Sequence, residues 1–202
     1  MMEATVLKSY ASLSSAGLLP GSGFAHPTQA LSERVGLDDS ALAVMTDFER
    51  VSAVLIRPDD GIDEANQRMI QRGVRLLLVT DAQRNVVGLV TANDILGEKP
   101  MQIITERGGR RHDIVVRDIM TPQDRLEVLE MRDVQRARVG QVVATLKESA
   151  RQHALVVDRD GNGRQRVRGM FSVTQIARQL GVSIQAHEIA RTFAEIETQL
   201  TH

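Results

Sequence analysis

From about residue 40 the chain repeats itself, and a repeat constrains a fold more than any composition does, because one local solution must serve twice. Met45-Thr46 recurs as Met120-Thr121. Leu77-Leu78-Val79-Thr80-Asp81 recurs as Ala154-Leu155-Val156-Val157-Asp158. Gly88-Leu89-Val90-Thr91-Ala92-Asn93-Asp94-Ile95 recurs as Gly169-Met170-Phe171-Ser172-Val173-Thr174-Gln175-Ile176. The offsets are 75, 77 and 81, in chain order, and they grow because the second copy carries longer loops. The expected division is an extension over 1–39, a first repeat with its linker over 40–112, a second repeat over 113–181 and an amphipathic helix over 182–202.

Each copy reads as strand, helix, strand, strand, helix. In the first, Val51 to Ile56 is a strand, and Asp59-Asp60-Gly61 opens a helix with Ile62, Ala65, Met69 and Ile70 on one face and Gly73 at its end. Leu76 to Thr80 and Val86 to Val90 are short apolar strands joined by the polar turn Asp81 to Asn85, and a short helix follows from Thr91. The second copy places strands at Val128 to Met131, Ala154 to Val157 and Val167 to Phe171, with helices over Val139 to Arg151 and from Ser172. Continuous rather than alternating apolar strands imply sheets covered on both faces. The fold class expected is α+β, built of α/β-like units. Its core must be aliphatic, since 202 residues include 4 Phe, 1 Tyr and no Trp.

Outside the repeats the signals are weaker. Residues 1 to about 36 read as irregular, with one short helix near Met2 to Ser9 and Pro20-Gly21-Ser22-Gly23 as a turn. After Ser183, Ala186, Ile189, Phe193, Ile196 and Leu200 form an amphipathic stripe that packs on the module or on its twin. Gly108-Gly109 marks the connection between the copies, inside a mixed-charge Arg-rich stretch.

Several function classes are set aside. With 25 Lys+Arg against 26 Asp+Glu, the net charge of −1 gives no general electrostatic grip on nucleic acid or on an anionic membrane. No apolar run approaches the roughly 20 residues of a membrane helix, and the N-terminus has no hydrophobic block, so a cytoplasmic location is expected. The chain has no Cys, and its His residues at 26, 112, 153, 187 and 202 make no helical i, i+4 pair, so no metal site is expected. Asp158 to Gly163 imitates the start of a calcium loop, but the twelfth position is Gly169 where a Glu is required. Nothing groups Ser, His and Asp as a triad, and no enzyme is expected.

Thr91 and Asp94 sit where a strand turns into a helix. A helix start offers backbone N–H groups to a phosphate, and an aspartate three residues on has the charge and geometry to accept from ribose hydroxyls. Thr-x-x-Asp is equally a capping box, a pattern that Ser172-x-x-Gln175 also fits. From the spacing alone the cap is the better reading; the repeat context reverses this for Thr91 and Asp94, since a hydroxyl both caps and contacts a ligand.

A strand, a glycine and a strand running into Thr/Ser-x-x-Asp, headed by Asp118-Ile119-Met120-Thr121-Pro122, resembles the cystathionine-β-synthase (CBS) domain. Two copies resemble the CBS pair, over about residues 40 to 181. The resemblance implies two β-α-β-β-α units about a pseudo-twofold axis, clefts for adenosine-containing ligands, and a disc-shaped homodimer. Matched residue by residue, it gives Thr91 and Asp94 the phosphate-side and ribose roles. It sets Arg75 before phosphates, Leu89 beside the adenine, and Gln152 and His153 reaching across from the second copy, with Thr174 at another phosphate-side position. Gln175 departs from the pattern by replacing the ribose-binding acid, which puts the second site in doubt and leaves Gln175 a capping role. The implied function is a stand-alone regulatory module that binds AMP, ADP or ATP, one per chain, and signals to a regulated protein. The alternative is a structural dimerisation module without a nucleotide.

Overall fold

The computed structural model describes residues 19, 20, 29 and 31–182 of the chain. The helix expected near Met2 to Ser9 and the stripe after Ser183 lie outside these residues. Two four-stranded sheets and a set of short helices make a mixed α+β fold. The strands are β1 (Thr46–Asp47), β2 (Leu55–Ile56), β3 (Leu76–Thr80), β4 (Val86–Thr91), β5 (Thr121–Pro122), β6 (Val128–Glu130), β7 (His153–Arg159) and β8 (Gln165–Ser172).

The two sheets run in the orders β2-β3-β4-β5 and β6-β7-β8-β1. In each, a parallel pair leads into an antiparallel hairpin, and the fourth strand comes from the other repeat's Met-Thr segment. Thr121 pairs with Leu89 and Pro122 with Gly88, just as Thr46 pairs with Met170 and Asp47 with Gly169. Both hairpins slip register at the same place, between Val79 and Thr80 and between Val156 and Val157. The repeats are therefore interlocked by exchanged edge strands.

That exchange explains the recurring glycine. A Cβ on Gly88 would stand 2.7 Å from the Thr121 carbonyl oxygen and 3.0 Å from Met120 Sδ. On Gly169 it would meet the Thr46 carbonyl oxygen and Met45 Sδ in the same way. Only glycine lets the incoming strand lie this close.

Every residue of β3 is buried, because the strand is covered twice. Leu77, Val79 and Val90 face the helices, in a cluster with Ile56, Ile62, Ala65, Met69 and Ile95. Leu76, Leu78 and Leu89 face the second sheet, where they meet Leu155. A third cluster, centred on the fully buried Phe171, fills the second repeat. The period-2 geometry of a strand thus sends alternate leucines to two different cores.

The first long helix, α1 (Ile62–Arg72), buries Ile62, Ala65 and Met69 and ends on Gly73 at φ 63°. Its neighbour α2 (Ala92–Leu96) follows β4 directly, and α6 (Val139–Glu148) and α7 (Val173–Gln179) are the counterparts of α1 and α2 in the second repeat. Between the repeats lie α3 (Lys99–Arg107) and α4 (Val116–Ile119), and α5 (Met131–Val134) follows β6. Two expectations need correction, and one helix was not expected. Ile70 is 65% exposed, because its position falls off the stripe that the other three define. The strand expected from Val51 is confined to Leu55–Ile56, since the amides of Arg50 and Val51 turn back onto the Asp47 carbonyl. The Lys99–Arg107 helix was not legible as an element, and it ends at Gly108, where the connection was expected.

Candidate functional site

Two of the clefts between the sheets have linings that correspond through the repeat. The first, about 280 Å³, is lined by Leu89, Thr91, Asn93 and Asp94 from the first repeat and by Arg151, Gln152 and His153 from the second. Thr121, Leu126, Glu127, Ala150 and Leu155 complete it. The second, about 550 Å³, is lined by Met170, Ser172, Thr174 and Gln175, with Arg72, Gly73, Val74 and Arg75 reaching in from the first repeat and Thr46 in the place of Thr121. His153 borders both.

Five of the expected site residues are thus brought together in the first cleft: Leu89, Thr91, Asp94, Gln152 and His153. Arg75 and Thr174 are not among them, and this corrects the single-site grouping. The reason lies at the start of each hairpin. The Arg75 carbonyl accepts from the Ala92 amide, and the Gln152 carbonyl accepts from the Val173 amide, so each backbone stays in its own repeat. Each side chain then crosses to the opposite cleft, Arg75 to the second and Gln152 to the first.

In the first cleft the helix start is fully built. Asp94 Oδ2 accepts from the Thr91 amide at 2.8 Å and from the Thr91 hydroxyl at 2.7 Å, and Thr91 Oγ1 accepts from the Asp94 amide at 3.3 Å. Asp94 Oδ1 accepts from Lys99 Nζ at 2.5 Å, and the same ammonium donates to the Ile119 carbonyl at 2.9 Å. A carboxylate offers about four lone-pair positions. Three are taken here, so one ribose hydroxyl fits as the site stands and a second requires Lys99 to give way. With its side chain 46% exposed, Lys99 has solvent to move into. Lys99 escaped sequence reasoning because its helix has no strong stripe; Pro100 at the helix start was the available signal.

The second repeat does not copy this box. The Ser172 side chain makes no cap bond, and Gln175 Nε2 donates along the helix to Gln179 Oε1 at 2.9 Å. Arg178 donates to Gln175 Oε1. The capping role expected for Gln175 is therefore corrected: its amide is drawn forward by Gln179, which is itself anchored on the Ser32 and Ala43 carbonyls.

Across the first cleft, Asn93 Nδ2 donates to Gln152 Oε1 at 3.1 Å and ties the two repeats together. His153 is half-buried, and its pKa is lowered to about 4, first by burial and then by the positive charge of Arg75, against the opposing pull of Asp94. Near pH 7 it is a neutral ring, suited to a hydrogen bond or a stacked base rather than to a phosphate charge. At the rim, Arg151 is paired with Glu127 at 3.2 Å.

Residues 41–100 match the family model of the CBS domain. That segment, the first repeat, is identified as a CBS domain. The fold of the chain is similar to that of an uncharacterized conserved protein from Pyrococcus horikoshii, at 22% identity and a TM-score of 0.53, over 76% of this chain and all of that one. The CBS-pair protein CBSX2 from Arabidopsis thaliana is 22% identical over 69% of this chain and 92% of its own, with a TM-score of 0.47. A further structure of CBSX2 is a complex with AMP, at 22% identity and the same TM-score of 0.47, covering 69% of this chain and 93% of that one. No curated protein matches the chain. Among the described residues, no helix is long and apolar enough to cross a membrane, and no group of His, Asp and Glu is placed to hold a metal ion.

Proposed function

We propose that this protein is a regulatory module that holds an adenine nucleotide in the first cleft and conveys its occupancy to a regulated protein. The observation that carries the reading is the convergence, in one cleft of about 280 Å³, of an apolar wall at Leu89, the Thr91–Asp94 pair, and Gln152 and His153 from the opposite repeat. The adenine lies against Leu89, and Asp94 Oδ1 takes a ribose hydroxyl. Charge narrows the choice among AMP, ADP and ATP. The lining's one arginine, Arg151, is already paired with Glu127, so a single phosphate is accommodated better than three. The active form in this reading is a homodimer, supported by Ile70, Leu96 and Met101 on the outer helical surface, each more than 60% exposed.

A second reading, a structural dimerisation module without a nucleotide, is favoured by one feature: Thr91, Asp94 and Lys99 already engage one another as a helix cap and an ion pair. Calorimetry with AMP, ATP and adenosine separates the two. A charge-assisted hydrogen bond to the ribose is worth about 1.5–3 kcal/mol, so Asp94→Ala should weaken AMP roughly 10- to 150-fold. Gln175→Ala should leave AMP binding unchanged. Absence of binding by all three compounds at millimolar concentration establishes the structural reading instead.

A further inference from the structure

The second cleft differs from the first in charge as well as in shape. Arg72, Arg75 and Arg178 all line it, and no Asp or Glu does. The side chains of Arg72 and Arg75 make no hydrogen bond or ion pair among the described residues, whereas ten other arginines are paired with acids. Like charges brought to one concave wall repel each other and lower the stability of the empty state, and low-dielectric walls focus their field on whatever enters. At about 550 Å³ the space is nearly twice that of the first cleft.

The polar groups around the arginines point to the same kind of ligand. The hydroxyls of Ser172 and Thr174 line the cleft and have no partner among the described residues, so they are available as donors. What the cleft lacks is a carboxylate acceptor for a sugar. The position of Asp94 is taken by Gln175, whose oxygen accepts from Arg178 and whose nitrogen donates to Gln179. Cationic donors with no carboxylate beside them favour phosphate oxygens over sugar hydroxyls.

We infer that the second cleft binds a small phosphate-rich anion through Arg72, Arg75 and Arg178, recognising the phosphates and not a nucleoside. The ligand's phosphates could belong to an inorganic chain or to the tail of a nucleotide, and the shared chemistry is a di- or triphosphate group. The inference stands apart from the nucleotide reading of the first cleft, because it uses none of that cleft's carboxylate.

Inorganic pyrophosphate is the probe, titrated into the full chain by calorimetry, with ADP as the second arm. One pyrophosphate per chain is expected. Arg75→Gln and Arg178→Gln should each weaken it about tenfold or more, with Arg75→Lys recovering part of the loss. Asp94→Ala should leave pyrophosphate affinity as it is, while AMP titration of the same variant reports separately on the first cleft. In the Asp94→Ala background, ADP and pyrophosphate should bind within about threefold of each other. Circular dichroism on each variant confirms that the fold is retained. Failure of pyrophosphate to bind at millimolar concentration overturns the inference. So does equal binding by a folded variant carrying all three Arg→Gln changes, or a more than tenfold preference for ADP in the Asp94→Ala background.

Discussion

Adding one methyl group at Gly88 or at Gly169 should damage one cleft and spare the other. At Gly88 the new Cβ would lie 2.7 Å from the Thr121 carbonyl oxygen, 3.0 Å from Met120 Sδ and 3.4 Å from Pro122 Cα. Met120 can swing its thioether aside, but the carbonyl belongs to a backbone already bonded into the ladder, so β5 must move. Overpacking of this kind costs about 1–3 kcal/mol. In a protein of this size each kcal/mol shifts Tm by roughly 2–4 °C, so Gly88→Ala should melt about 2–12 °C lower than the parent. The functional consequence is local. β5 carries Thr121 into the first cleft, and β1 carries Thr46 into the second. Gly88→Ala should therefore weaken AMP and leave pyrophosphate alone, and Gly169→Ala should do the reverse. Differential scanning calorimetry reads the stability and titration of both ligands reads the selectivity. Two alanine variants that melt within about 1 °C of the parent would show that the exchanged strands do not approach as closely as described.

Two further outcomes follow from the site. The folded-state pKa of His153 is about 4 against an ordinary 6.5, so its neutral form stabilises the fold fully above pH 6.5, and that contribution fades as pH falls through 6.5 toward 4. At about 1.4 kcal/mol per pH unit the interval bounds the loss at about 3.5 kcal/mol, and partial exposure of the ring reduces it to about 2 kcal/mol. Urea unfolding between pH 7 and pH 4 should show this slope in the parent and a shallower one in His153→Gln; identical slopes would refute the assignment. Thr91→Ala removes a working cap and should cost about 1 kcal/mol, whereas Ser172→Ala should fall within about 0.5 kcal/mol of the parent, because Ser172 caps nothing. Equal losses in urea unfolding would contradict the asymmetry of the two helix starts.

What was legible in the chain was whatever a repeat and a periodicity can carry. The run Leu76 to Val79 announced a sheet covered on both faces, Gly73 marked the end of its helix, and the recurrence of Met-Thr and Gly-Leu paired residues that indeed occupy equivalent places. The exchange of β1 and β5 was not legible, since two-residue strands have no period and strand partnership is a long-range property. For the same reason Arg75 and Thr174 could not be assigned to a cleft: being adjacent to a strand does not reveal to which side of the pseudo-axis a side chain crosses. Of the two readings of Thr-x-x-Asp, the structure builds the capping one in full. The partner that most affects Asp94 was missed because Lys99 stands on a helix whose amphipathic pattern is weak.

The central claim is that an adenine nucleotide occupies the cleft of Thr91, Asp94 and His153. A crystal structure of the protein grown with AMP tests it most directly. The account predicts one AMP per chain in that cleft, its adenine against Leu89, both ribose hydroxyls within hydrogen-bonding distance of the Asp94 carboxylate, and Lys99 Nζ turned away from its 2.5 Å contact to admit the second. AMP seated among Arg72, Arg75 and Arg178, with the Asp94–Lys99 pair intact, would contradict it.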